Sequence, residues 1–112
     1  MPTFITRGRY SAESIKKLVA NPENRETAVR TLVESSGGKL KDFYITLGPY
    51  DWMTIVEAPS AKEASAFILA AAATGSVTDI ETIEAFNGAE AKEVFTAAGK
   101  AAAKYVPPGT AR

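Results

Sequence analysis

Residues 41–59, KDFYITLGPYDWMTIVEAP, place the two most strand-like runs of the chain on either side of one tight turn, and this hairpin constrains what surrounds it. Residues 42–47 and 52–56 are rich in β-branched and aromatic side chains. Between them Gly48-Pro49-Tyr50-Asp51 supplies a flexible glycine, a proline with fixed φ and a turn-forming aspartate. Closing the strands symmetrically about that turn sets Leu47 opposite Trp52, Ile45 opposite Thr54 and Phe43 opposite Val56. Tyr44 and Thr46 then share the other face with Met53 and Ile55. Neither face is fully polar. A sheet with one solvated side alternates apolar and polar residues, so a second face carrying Tyr, Ile and Met calls for a cover of its own.

The flanking segments supply the rest of a sheet and its helices. TFITRGRY (residues 3–10) reads as a first strand, with Phe4 and Ile5 projecting to opposite faces. Ser11 fits an N-cap with Glu13 in the first turn, and Ile15, Leu18 and Val19 share a helical face. Asn21-Pro22 interrupts that helix and, as an N-cap followed by proline at the first helical position, restarts a second one running to about Ser36. Ala28, Val29, Leu32 and Val33 form its buried stripe, and Gly37-Gly38 releases the chain into the hairpin. Pro59 ends the third strand. Ser60 and Glu63 have capping-box spacing before a helix whose apolar stripe is Ala64, Phe67, Ile68 and Ala71, with Gly75 as its stop. VTDIETIEAF (residues 77–86) is a fourth strand, with Ile80 and Phe86 on one face and Val77 and Ile83 on the other. Asn87 and Glu90 open a last helix through about Tyr105 with a stripe of Val94, Phe95, Ala98 and Ala102. Residues 1–105 therefore read as a single domain and residues 106–112 as a loose tail.

The order is βαββαβ with an added C-terminal helix. This is the α+β, ferredoxin-like arrangement, in which an antiparallel four-stranded sheet carries its helices on one face. Two such sheets packed face to face make a dimeric α/β barrel, which would cover the semi-apolar side of the hairpin. A chain of 112 residues, 46% of them hydrophobic, can bury a core of its own yet gains stability from self-association.

Composition removes several functions. Thirteen basic and thirteen acidic side chains cancel, leaving no electrostatic footprint for nucleic acid and no attraction to an anionic membrane. Cysteine and histidine are both absent, which excludes thiol or imidazole catalysis, the usual zinc sites and histidine-ligated haem. No Asp-rich calcium loop occurs, so neither a metal nor a cofactor is expected. The longest mainly apolar run, residues 66–73, is too short to span a bilayer, and with no signal peptide read at the start the expected location is the cytoplasm.

The residues Gly48-x-Tyr50-Asp51, set in TLGPYDWMTIVEAP and followed by a helix, resemble the signature of the GYD domain family, small bacterial and archaeal proteins of largely unknown function. MPTFITRGRYS, the NPE break, GGKLKDFYITLG, the VEAP exit and DIETIEAF extend the resemblance over roughly residues 2–87. The family is similar to dimeric α/β barrels, so the resemblance implies the same topology and no established substrate. Trp52, bulky and directly after the motif, and the long C-terminal helix are read as features of this member rather than of the family.

Four residues are candidates for a site. Tyr50 and Asp51 pair a phenol with a carboxylate at a strand connection, where they can hold a polar ligand or relay a proton. The structural alternative has Asp51 accepting turn amides while Tyr50 seals the sheet edge beside Trp52. Glu57 and Glu81 lie on the third and fourth strands. Buried, either carboxyl would have a raised pKa and serve as acid or base; otherwise each is exposed or ion-paired with Arg7 or Arg9. Pro2, with Met1 removed, would present the amine that tautomerases use as a base. The leading expectation is a homo-oligomeric GYD-type module that binds a small molecule or serves assembly. The alternative is a cofactor-independent oxygenase, isomerase or tautomerase using Tyr50, Asp51 or Glu57.

Overall fold

The computed structural model describes residues 1–110. The elements are β1 (Thr3–Tyr10), α1 (Ala12–Ala20), α2 (Glu26–Ser35), β2 (Lys39–Ile45), β3 (Trp52–Glu57), α3 (Ala61–Ala73), β4 (Val77–Ala85) and α4 (Gly88–Ala102). The four strands form one antiparallel sheet in the order β2-β3-β1-β4, the ferredoxin-like topology with β1 and β3 at its centre.

Local chemistry sets most boundaries. Ser11 Oγ accepts the Ser14 amide at 3.1 Å and starts α1. Pro22 forces Asn21 out of helical geometry (φ −133°, ψ 82°). The expected restart at Pro22 does not occur: the chain stays irregular until Arg25, and Asn24 Oδ1 takes the Glu26 amide at 3.0 Å. Gly37, at φ +83°, ends α2 in the left-handed region that favours glycine, with the Gly37 and Gly38 amides returning to Glu34 and Val33 carbonyls. Ser60 caps α3, but its hydroxyl takes the Lys62 amide and bonds the Glu63 carboxylate directly, so the expected reciprocal box is incomplete. That hydroxyl bond holds the Glu63 carboxyl below its usual range. The capping box at Asn87 and Glu90 is complete, with both bonds at 2.8–2.9 Å.

The hairpin register differs from the symmetric one by two residues. Ile45 pairs with Trp52, Phe43 with Thr54, Tyr44 with Met53 and Asp42 with Ile55. The connection is six residues long, closed by the Thr46 amide on the Asp51 carbonyl at 2.8 Å, and Leu47 lies in it, fully exposed. A two-residue shift preserves which side chains share a face, so the division into two faces stands while the individual pairs change.

One face carries α1, α2 and α3. Phe4, Val33, Leu40, Val56, Ala58, Ala64 and Phe67 are the buried core there, with Val29, Leu32, Phe43 and Ile68 packed against it. Trp52 and Thr54 belong to the same face and are also buried. Between Arg7 and Arg9 the β1–β4 register jumps, leaving Asp79 and Ile80 of β4 opposite Gly8 alone; Asp79 adopts φ +52°, one of the polar residues that tolerate it. α4 follows β4 without a buried residue, and the molecule is 66 Å in its longest dimension. After α4 the described residues hold no further helix or strand.

Candidate functional site

The face of the sheet away from the helices is open. Alternation places Ile5 and Arg7 of β1, Met53, Ile55 and Glu57 of β3, Tyr44 and Asp42 of β2, and Glu81 and Ile83 of β4 on it. Its centre is apolar: Ile5 stands opposite both Ile55 and Ile83, and the outer apolar side chains Tyr44 and Ile83 are 53% and 54% exposed.

Tyr50, Glu81 and Arg7 form one polar cluster on this face. Arg7 donates to Glu81 Oε1 through Nη2 at 3.0 Å and Nε at 3.3 Å, and the Tyr50 hydroxyl donates to Glu81 Oε2 at 3.1 Å. The guanidinium carbon of Arg7 sits 4.3 Å from the Tyr50 ring centroid, a cation–π contact. Arg7 first, then Tyr50, hold the Glu81 carboxyl below the usual carboxylate range. A carboxylate stabilised in its charged form is a weaker base, the reverse of the shift that an acid–base role at neutral pH requires. Because the folded value is depressed, the pair's contribution to stability is complete above the ordinary carboxylate range. It is lost as pH falls through the lowered value. Arg7→Ala is expected to raise the Glu81 midpoint in a carbon-13 carboxyl titration, and to raise it more than Tyr50→Phe does. The effect on melting stays small because both partners are exposed and screened.

Asp51 does different work. Its Oδ2 accepts the Tyr10 amide at 2.9 Å and its own amide donates to Gly8 O at 2.8 Å, so the β2–β3 connection is fastened to the end of β1 rather than capped within itself. Tyr50 lies against Arg7 on the open side, whereas Trp52 turns its indole to the helices, so the two aromatic residues serve opposite faces. Asp51→Ala is expected to cost about 1–2 kcal/mol by orphaning a part-buried amide, and Tyr50→Phe less than about 0.5 kcal/mol. Paired urea melts compare them directly.

Glu57 is remote from this cluster. It stands opposite Thr3, four residues along β1 from Arg7 and hence about 13 Å away along the strand. Its ion-pair partner is Lys41, at 3.8 Å, and neither arginine expected for it. The Pro2 carbonyl accepts the Ala58 amide at 3.1 Å, which extends the β1–β3 edge. Among the described residues no group of His, Cys, Asp and Glu side chains is arranged to hold a metal ion, and no helix is long and apolar enough to cross a membrane.

A ferredoxin-like sheet with helices on one side, a semi-apolar open side and a Gly-x-Tyr-Asp connection at its rim defines a class of small α+β protein. The chain belongs to the GYD domain family, whose model matches residues 4–95. Over 85 residues it is 35% identical to the glutamine synthetase and cystathionine beta-lyase binding protein of Thermus thermophilus, covering 76% of this chain and 88% of that one. In fold it is similar to the crystal structure of TTHA0845, also from Thermus thermophilus, with a TM-score of 0.51 and 19% identity over 79% of this chain and 96% of that one. It is also similar to MtbAldR, with a TM-score of 0.53 and 11% identity over 77% of this chain and 52% of that one. At these identities the solved structures share the fold alone.

Proposed function

We propose that this chain is a cytoplasmic homo-oligomeric assembly module: two copies appose their open sheet faces, and the resulting particle engages a partner protein through its outer surfaces. The observation that carries the reading is the open face itself, where Ile5, Ile55, Met53 and Ile83 make an apolar centre on strands that a monomer would leave in water. Arg7 with Glu81 and Lys41 with Glu57 rim that centre with ion pairs already formed within one copy, and the further carboxylate of the face, Asp42, lies exposed on the edge strand β2. Residues 1–105 act as the folded unit in this reading, with Tyr50 and Asp51 as framework of the face rather than as reacting groups. The name of the Thermus relative, a binding protein for two enzymes, supports a protein as the partner. Native mass spectrometry of protein taken directly from cells reports both stoichiometry and any co-purifying partner. A monomer without a partner, at micromolar concentration, overturns the proposal.

A further inference from the structure

α4 holds no buried residue, although one side of it is apolar. Val94 and Phe95, which share that side with Ala98 and Ala102, are 46% and 73% exposed. A helix of this length is marginal in water by itself, and Gly99 in its interior weakens it further, so its stability must come from packing its apolar side against something. Its own copy does not supply that packing. Phe86 and Asn87 are the whole link from β4, the complete capping box at Asn87 starts the helix at once, and the molecule extends to 66 Å.

A groove of about 620 Å³ with matching character runs between α3 and β4, on the helix side of the sheet. Ala64, Ser65, Ile68 and Leu69 of α3 and Ile80 of the edge strand β4 line it, and Leu69 is 65% exposed. The one charged side chain among those lining it is Glu84. On α4, Lys92 flanks Phe95 one turn away, and neither Lys92 nor Glu84 has an ion-pair partner among the described residues. The lengths agree as well. From Lys92 to Ala102 the helix rises about 15 Å, while β4 covers about 14 Å from Glu84 to Ile80 and α3 about 16 Å from Ala61 to Ala72.

We propose that α4 of one copy lies in the α3–β4 groove of a second copy, with Val94 and Phe95 on the apolar wall formed by Ile68 and Leu69 and with Lys92 against Glu84. The exchange is reciprocal and rests on the sheet-to-sheet pairing proposed above: a two-fold axis running across the strands sets β4 of each copy along β4 of the other. Sheets packed face to face are about 10 Å apart, so a helix about 22 Å long leaving the end of one β4 passes the partner's edge strand and reaches its helix side. Tethering makes so small a contact sufficient. Once the open faces hold two copies together, α4 meets its groove at high effective concentration, and without that pairing it does not.

The chain has no cysteine, so introduced thiols report this contact alone. Leu69→Cys and Ala98→Cys, both at exposed positions, are made in separate full-length chains, one carrying a mass tag, and mixed in a thiol–disulfide buffer. The disulfide joining the two different chains is expected to exceed either self-pair about tenfold, because the bond favours thiols held in register. Phe95→Glu in the Ala98→Cys chain should abolish that preference. Lys92→Glu should lower it about threefold, and Glu84→Lys in the Leu69→Cys chain should restore it. With both thiols in one chain, a disulfide closed within that chain would mean that α4 folds onto its own groove, and it overturns the proposal. Light scattering separates the two readings: a dimer that gives only a statistical mixture of disulfides overturns the helix exchange and leaves the sheet pairing standing, whereas a monomer overturns both.

Discussion

In the proposed dimer, Ile55→Lys is expected to leave the fold intact and to yield a monomer. Ile55 stands at the middle of the open face, paired with Ile5 on one side and Asp42 on the other, and is part-exposed in a single copy. A lysine there reaches solvent in the monomer at little cost. In a sheet-to-sheet dimer it becomes an ammonium desolvated between two largely apolar surfaces with only the cross-strand Asp42 carboxylate in reach, a defect on the order of 2–3 kcal/mol, and two-fold symmetry places one in each copy. A penalty of that size weakens association by at least about a hundredfold. Light scattering coupled to size exclusion reads the mass, and circular dichroism checks that the fold survives. Should the variant keep the wild-type mass, the interface lies elsewhere.

Much of this architecture was legible in the chain because the decisive signals are local. β1 occupies the residues its β-branched and aromatic run predicts, and Ser11, Ser60 and Asn87 each cap the helix expected of them. The faces of the hairpin could be assigned because side-chain alternation has a period of two, and the observed register differs from the symmetric one by that same amount. What failed was the length of the turn. Gly48-Pro49-Tyr50-Asp51 looks like a complete four-residue connection, yet Asp51 is drawn to Gly8 and Tyr10 of β1, contacts that no reading of the hairpin alone contains. The α2 start failed for a similar reason. A proline's preference for the first helical turn competes with Asn24 as an alternative cap, and sequence spacing does not rank them.

The candidate site was only partly legible. Tyr50 and Glu81 are 31 residues apart and meet because the antiparallel register sets Glu81 against Arg7, while the tether of Asp51 to β1 holds the connection alongside. An arginine partner for Glu81 was foreseeable from charge; the phenol joining it was not. The packing of the indole was invisible. A single tryptophan after a turn reads as bulk, and only the packed structure reveals that its N–H lacks a partner and that Gly8 is what makes room for its ring.

That last contact carries a further large effect. Gly8 is buried on β1 facing the helices, and a Cβ built there would lie 2.6 Å from Trp52 Cζ2, 3.0 Å from Cε2 and 3.1 Å from the Thr78 carbonyl oxygen. The first separation is far inside van der Waals contact, and the atom belongs to a rigid ring held by the core rather than to a flexible chain end. Gly8→Ala must therefore displace the indole or open the bulge between β1 and β4, at a cost of about 1–3 kcal/mol. For a chain of this size that lowers the melting temperature by roughly 4–20 °C. Removing the outer ring of the indole should relieve the clash, so Gly8→Ala is expected to cost less in a Trp52→Phe background than in wild type, with a coupling of about 1 kcal/mol or more. Chemical denaturation of the four proteins in the cycle measures it. If the alanine is equally damaging in both backgrounds, the strain arises from the strand backbone, and the tryptophan is not its cause.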